Sequence, residues 1–109
     1  MKTFKEYEEK VIKFAFYPGI GSFSGLVYAV LALSGEAGEL ANTLKKLIRD
    51  GESKMTPEWE AKLLDELGDV LWYVAATARE IAVDRGLKEV AEANYEKLSA
   101  RHTKFNKVK

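Results

Sequence analysis

The chain has no cysteine, one histidine, two prolines and no net charge. Without cysteine there is no disulfide framework, no thiolate zinc site and no cysteine nucleophile. The lone histidine, His102, argues against histidine-based metal sites and catalytic triads. Lys+Arg and Asp+Glu number 17 each, so overall charge offers no pull toward a nucleic-acid polymer or an anionic membrane surface. No apolar run is long enough to span a bilayer. The opening residues alternate charge with aromatics where a signal peptide would be apolar, so a cytoplasmic location is expected. A phosphate-binding Gly-x-x-x-x-Gly-Lys-Ser/Thr loop is also missing.

What remains is strongly helical. Phe4, Tyr7, Val11 and Phe14 recur at helical spacing from Thr3 to about Phe16. Pro18, Gly19, Gly21 and Gly25 mark a loop, which carries the aromatics Tyr17 and Phe23. A second helix is predicted from about Phe23 to Arg49, with the stripe Leu26, Val30, Leu33, Ala37, Leu40, Leu44 and Ile48 facing the core. Asp50-Gly51 stops it. Thr56-Pro57-Glu58 opens a third helix with a capping hydroxyl, a proline in the first helical position and an acid in the first turn. Gly86 is expected to end it, and a fourth helix to run from about Leu87 to His102, with Thr103 to Lys109 frayed. No strand pattern stands out. The expectation is an all-α, compact four-helix domain spanning 1–109, its core at about 3–102.

Within the two central helices one phrase occurs twice. Gly35-Glu36-Ala37-Gly38-Glu39-Leu40 is echoed by Asp65-Glu66-Leu67-Gly68-Asp69-Val70. Acids three apart share a helix face, so each pair can present two carboxylates together. Packed side by side, the helices would gather Glu36, Glu39, Glu66 and Asp69. Such a concentration of negative charge calls for cations, and hard divalent ions prefer oxygen ligands. Ala29, Ala32 and Thr43 accompany the first pair of acids, and Lys62, Tyr73 and Thr77 the second, unlike the usual run of Lys, Gln and Arg on a solvated face. A mid-helix glycine costs about 1 kcal/mol relative to alanine. Gly38 and Gly68 therefore suggest close helix packing on the opposite flank.

In the fourth helix the apolar stripe of Leu87, Val90 and Ala91 continues as Asn94, Lys97 and Arg101. An amide and two cations in a row suit anionic oxygens, phosphates in particular. Cations near a helix C-terminus are also favoured by the dipole, so the row has an ordinary structural explanation as well. Trp72, Tyr73 or an aromatic of the Tyr17–Phe23 loop offers a flat face for a nucleobase.

Glu36-x-x-Glu39, then Glu66-x-x-Asp69, then Asn94-x-x-Lys97-Leu98-x-x-Arg101 together resemble the ordered motifs of the MazG-like all-α nucleoside triphosphate pyrophosphohydrolases. The resemblance spans roughly residues 3 to 101. It implies a four-helix MazG-like bundle completed by oligomerisation, as a homodimer or a dimer of dimers. It implies hydrolysis of (deoxy)nucleoside triphosphates to monophosphate and pyrophosphate with Mg²⁺, or Mn²⁺ in its place, in house-cleaning or control of nucleotide pools. Glu36, Glu39, Glu66 and Asp69 would be the metal-binding and catalytic carboxylates, and Asn94, Lys97 and Arg101 the substrate contacts. Which carboxylate serves as base, and which phosphorus is attacked, stay open. A di-iron carboxylate bundle is disfavoured because such bundles use Glu-x-x-His pairs and His102 is in none. The remaining alternative is a non-enzymatic oligomerisation or regulatory module with solvated acidic faces.

Overall fold

A computed structural model describes residues 1–108, with side chains to residue 104. Four α-helices follow one another: α1 (Phe4–Val11), α2 (Phe23–Asp50), α3 (Pro57–Ile81) and α4 (Leu87–Val108). Among the described residues there is no strand. Helix starts follow local chemistry. Thr3, Ser22 and Thr56 each accept a backbone N–H of the first turn through the side chain, and Pro57 occupies the first position of α3. Gly86 donates its N–H to Glu89 Oε2 at 3.1 Å, while Glu8 Oε1 of α1 accepts the N–H of Leu87 at 2.8 Å. The start of α4 is thus fastened to α1.

Several boundaries differ from the periodicity. The first α-helix ends at Val11 and tightens into a 3₁₀ turn over Ile12–Phe14. Helix α3 stops at Ile81, five residues before Gly86, because Ala82 turns to extended backbone and Arg85 N–H closes a turn on Ala82 O. Helix α4 runs on to Val108 instead of fraying from Thr103; Lys109 lies outside the described residues.

The main packing is between α2 and α3, an antiparallel hairpin joined by the turn at 51–56. The face of α2 that packs is Gly25, Ala29, Ala32, Glu36, Leu40, Thr43 and Leu47, the small-residue face that carries the first acid. The expected core stripe is split: Leu26, Leu33 and Leu40 are partly buried, while Val30, Leu44 and Ile48 are 46%, 47% and 61% exposed. The reason is geometric. Small residues let two helices approach closely, so the acid-bearing face forms the intramolecular seam and leaves the uncovered part of the stripe outward. Gly35, Gly38 and Gly68 likewise have no atom within 4 Å of an added Cβ, so nothing in the same chain uses the space they leave.

One chain alone is an open frame. Its radius of gyration is 17.2 Å, against about 13 Å for a compact domain of this length. Phe16, Phe23, Leu31, Val83 and Tyr95 are each more than two-thirds exposed, and among the described residues no large side chain is fully buried. A chain of this size cannot form a closed core when so much apolar surface faces water.

Candidate metal centre

Across the middle of the hairpin, α2 supplies Glu36 and α3 supplies Glu66 and Asp69. One carboxylate oxygen from each lies within 4.8 Å of the other two. Glu36 and Glu66 are partly buried in the seam and Asp69 is exposed. Glu39, one turn beyond Glu36, is exposed and lies outside this trio. The other three residues singled out from the sequence, Asn94, Lys97 and Arg101, form an exposed row on α4. That helix packs principally on α1 and α3.

The electrostatics of the trio are those of crowded like charges. Burial, reinforced by Asp69, Glu66 and Glu39, pushes the Glu36 carboxyl above the usual glutamate range. None of the described salt bridges involves these acids; they join Arg49–Asp50, Lys54–Glu52 and Lys88–Glu92. Three convergent carboxylates that take part in no described ion pair are a donor set that suits a hard divalent ion, which takes oxygen ligands and keeps several waters.

Aromatics border the acids. Burial raises the Tyr7 phenol, and the nearby Asp69 charge raises it further; Tyr73 is raised by burial, Tyr28, Glu36 and Asp69. Tyr7 therefore brings α1 to the edge of the centre. Beside Tyr73 opens a cavity of about 260 Å³ lined by Phe14, Phe16, Tyr17, Tyr28, Trp72 and Tyr73. Tyr17 stacks on Tyr28 with ring centroids 5.6 Å apart and planes 3° from parallel, and stands edge-on to Trp72 at 6.4 Å. The indole of Trp72 donates to Val11 O at 3.4 Å, which ties the end of α1 to this wall. Sequence reasoning named Trp72, Tyr73 and the loop aromatics but missed Tyr7 and Tyr28. Tyr7 was legible as part of the Phe4–Tyr7–Val11 stripe, which had to pack on something. No local signal distinguished Tyr28.

Fold and site together define an all-α protein with a carboxylate centre set into the seam of a helical hairpin. Comparison with known proteins narrows this class. Residues 28–105 match the MazG nucleotide pyrophosphohydrolase domain, and the chain belongs to that family. It is 46% identical over 90 residues to the Gene 37 protein of Mycobacterium phage L5, a match that covers 80% of this chain and 77% of that protein. No solved structure matches it. No helix among the described residues is long and apolar enough to cross a membrane.

Proposed function

We propose that this protein is a Mg²⁺-dependent hydrolase in the cytoplasm that converts (deoxy)nucleoside triphosphates to monophosphates and pyrophosphate. The observation that carries this reading is the convergence of Glu36, Glu66 and Asp69 across the α2–α3 seam, with no ion pair to any of them among the described residues. These three residues would hold the metal, with Glu39 flanking them on the next turn of α2. A bound Mg²⁺ supplies charge neutralisation for the triphosphate and acidifies a water.

The chain's own groups do the rest. A carboxylate of the cluster accepts the proton of the attacking water. Tyr7 and Tyr73, kept protonated by burial and then by the nearby negative charge, remain hydrogen-bond donors at the edge of the cluster. The aromatic cavity beside Tyr73 receives the base by stacking. Asn94, Lys97 and Arg101 bind the phosphates and stabilise the charge on the leaving pyrophosphate once assembly brings their row to the centre.

A panel of ordinary and modified nucleoside triphosphates, assayed for monophosphate and pyrophosphate with Mg²⁺ and with chelator, tests the reading. Equal release of the two products with Mg²⁺, and none with chelator, is expected. Failure to release pyrophosphate from any member of the panel overturns it. A house-cleaning role predicts preference for modified members, and control of nucleotide pools predicts preference for ordinary ones.

Assembly follows from the open frame. The uncovered part of the stripe on α2 and the unfilled glycine flanks fit a homodimer or a dimer of dimers, whose formation closes the bundle. Leu31, 67% exposed on α2, is the test position. Leu31→Glu is expected to shift the protein to monomer in gel filtration with light scattering. Wild type that is itself monomeric at micromolar concentration contradicts the oligomer.

A further inference from the structure

We propose that Glu80 is a positioning residue: its carboxylate latches the loop 15–22 to α3 and so preforms the Tyr17 wall of the aromatic cavity. The inference rests on the reading of that cavity as the base slot. The loop has little to hold itself in shape. It contains Pro18 and the glycines Gly19 and Gly21, whose φ angles of 79° and 82° lie in the left-handed region. Ordering such a segment costs conformational entropy, and that cost falls on the ligand unless the protein meets it beforehand.

Glu80 reaches the loop at two points. The Tyr17 hydroxyl donates to Oε1 at 2.8 Å, and the Gly21 N–H is shared between Oε1 and Oε2 at 3.1 Å each. Gly25, in the first turn of α2, lets the two meet: a Cβ there would collide with Gly19 O and would lie 2.9 Å from Glu80 Oε2. Inside the loop Ser22 Oγ donates to Gly19 O at 2.6 Å, which keeps the glycine turn tight. One carboxylate thus joins α3, the loop and the start of α2.

The result is a fixed ring. With its hydroxyl held, Tyr17 lies parallel to Tyr28 and edge-on to Trp72, and these three rings belong to the cavity lining. Burial and the bond to Glu80 push the Tyr17 phenol up to about 12, so it stays a donor across the working pH range. Glu80 itself is neither in the carboxylate trio nor in the lining of this cavity. Its influence on a bound nucleotide runs through Tyr17.

The test compares wild type, Glu80→Ala, Glu80→Gln and Tyr17→Phe by steady-state kinetics on a triphosphate that wild type hydrolyses, and by amide hydrogen exchange of the loop. Glu80→Ala is expected to raise KM about tenfold, because the binding-competent loop becomes a minority state, and to leave kcat within about twofold. Inhibition by inorganic triphosphate, which has no base, should be unchanged. Glu80→Gln keeps an oxygen able to accept from Tyr17 and Gly21 and should restore most of the KM. Tyr17→Phe keeps the ring and loses one bond, so it should show an intermediate rise, and it serves in place of Glu80→Ala if that variant does not fold. Wild-type KM in both Glu80→Ala and Tyr17→Phe overturns the proposal, as does an equal loss of affinity for inorganic triphosphate. If wild type hydrolyses no triphosphate, the base-slot reading fails by itself. The latch is then judged by the Gly21 amide, and unchanged exchange in Glu80→Ala overturns it.

Discussion

Replacing Glu66 with glutamine is expected to lower kcat at least about a hundredfold while the helical circular dichroism signal is retained. Glu66 sits at the point where the α2–α3 seam is partly buried, and it supplies one of the three convergent oxygens. Glutamine has nearly the same volume and still offers one carbonyl oxygen, so the seam can pack as before. It has no charge, and a hard cation distinguishes a carboxylate from an amide. The loss should therefore appear in turnover and in the Mg²⁺ concentration needed for half-maximal rate, with little change in melting temperature without metal. A Glu66→Gln enzyme with wild-type turnover at low Mg²⁺ contradicts the assignment of this residue.

Adding Mg²⁺ to the metal-free protein should raise its melting temperature. At a hundred times the dissociation constant the linkage contribution is about 2.7 kcal/mol, on the order of 10 °C for a chain of this size. The pH dependence without metal gives the same cluster a second signature. Glu36 is raised above its ordinary value of 4.5, first by burial and then by Asp69, Glu66 and Glu39. The folded chain thus binds this proton more tightly than the unfolded chain does. The contribution to stability is full below the ordinary value and is lost as pH rises through the raised one. At neutral pH, Glu36→Gln should melt above metal-free wild type and gain less from Mg²⁺. A melting curve of wild type that Mg²⁺ leaves in place contradicts the metal centre.

The elements were legible because their signals are local. Thr56-Pro57-Glu58 declares a helix start in three residues, and the repeated acid phrase needs only helical spacing to place its carboxylates on one face. What the sequence did not reveal is which of two plausible faces packs within the chain. Helix α2 has a small-residue face with Glu36 and a bulkier face with Val30, Leu44 and Ile48. Hydrophobicity favours the second, but close approach favours the first, and the structure uses the first. Periodicity reports that a face is apolar without saying whether it is covered by the same chain or another. The same blindness hides the relation of Asn94, Lys97 and Arg101 to the acids, since a motif order along the chain carries no distance between helices. Glu80 was unreadable for a different reason. An acid near the end of a helix looks like any solvated charge until a loop some sixty residues away is seen to donate to it.

The placement of the carboxylates in the closest helix–helix seam has a bearing on how such a protein can change. A centre on a surface loop can drift by substitution while its scaffold stands still. Here Ala29, Ala32 and Thr43 are covered on the same face of α2 as Glu36, so an added methyl group beneath the acids is expected to alter ligand separation and helix packing in one stroke. If the aromatic wall receives the base as proposed, changes in substrate choice are expected at the loop and that wall, where side chains can be exchanged without moving the hairpin.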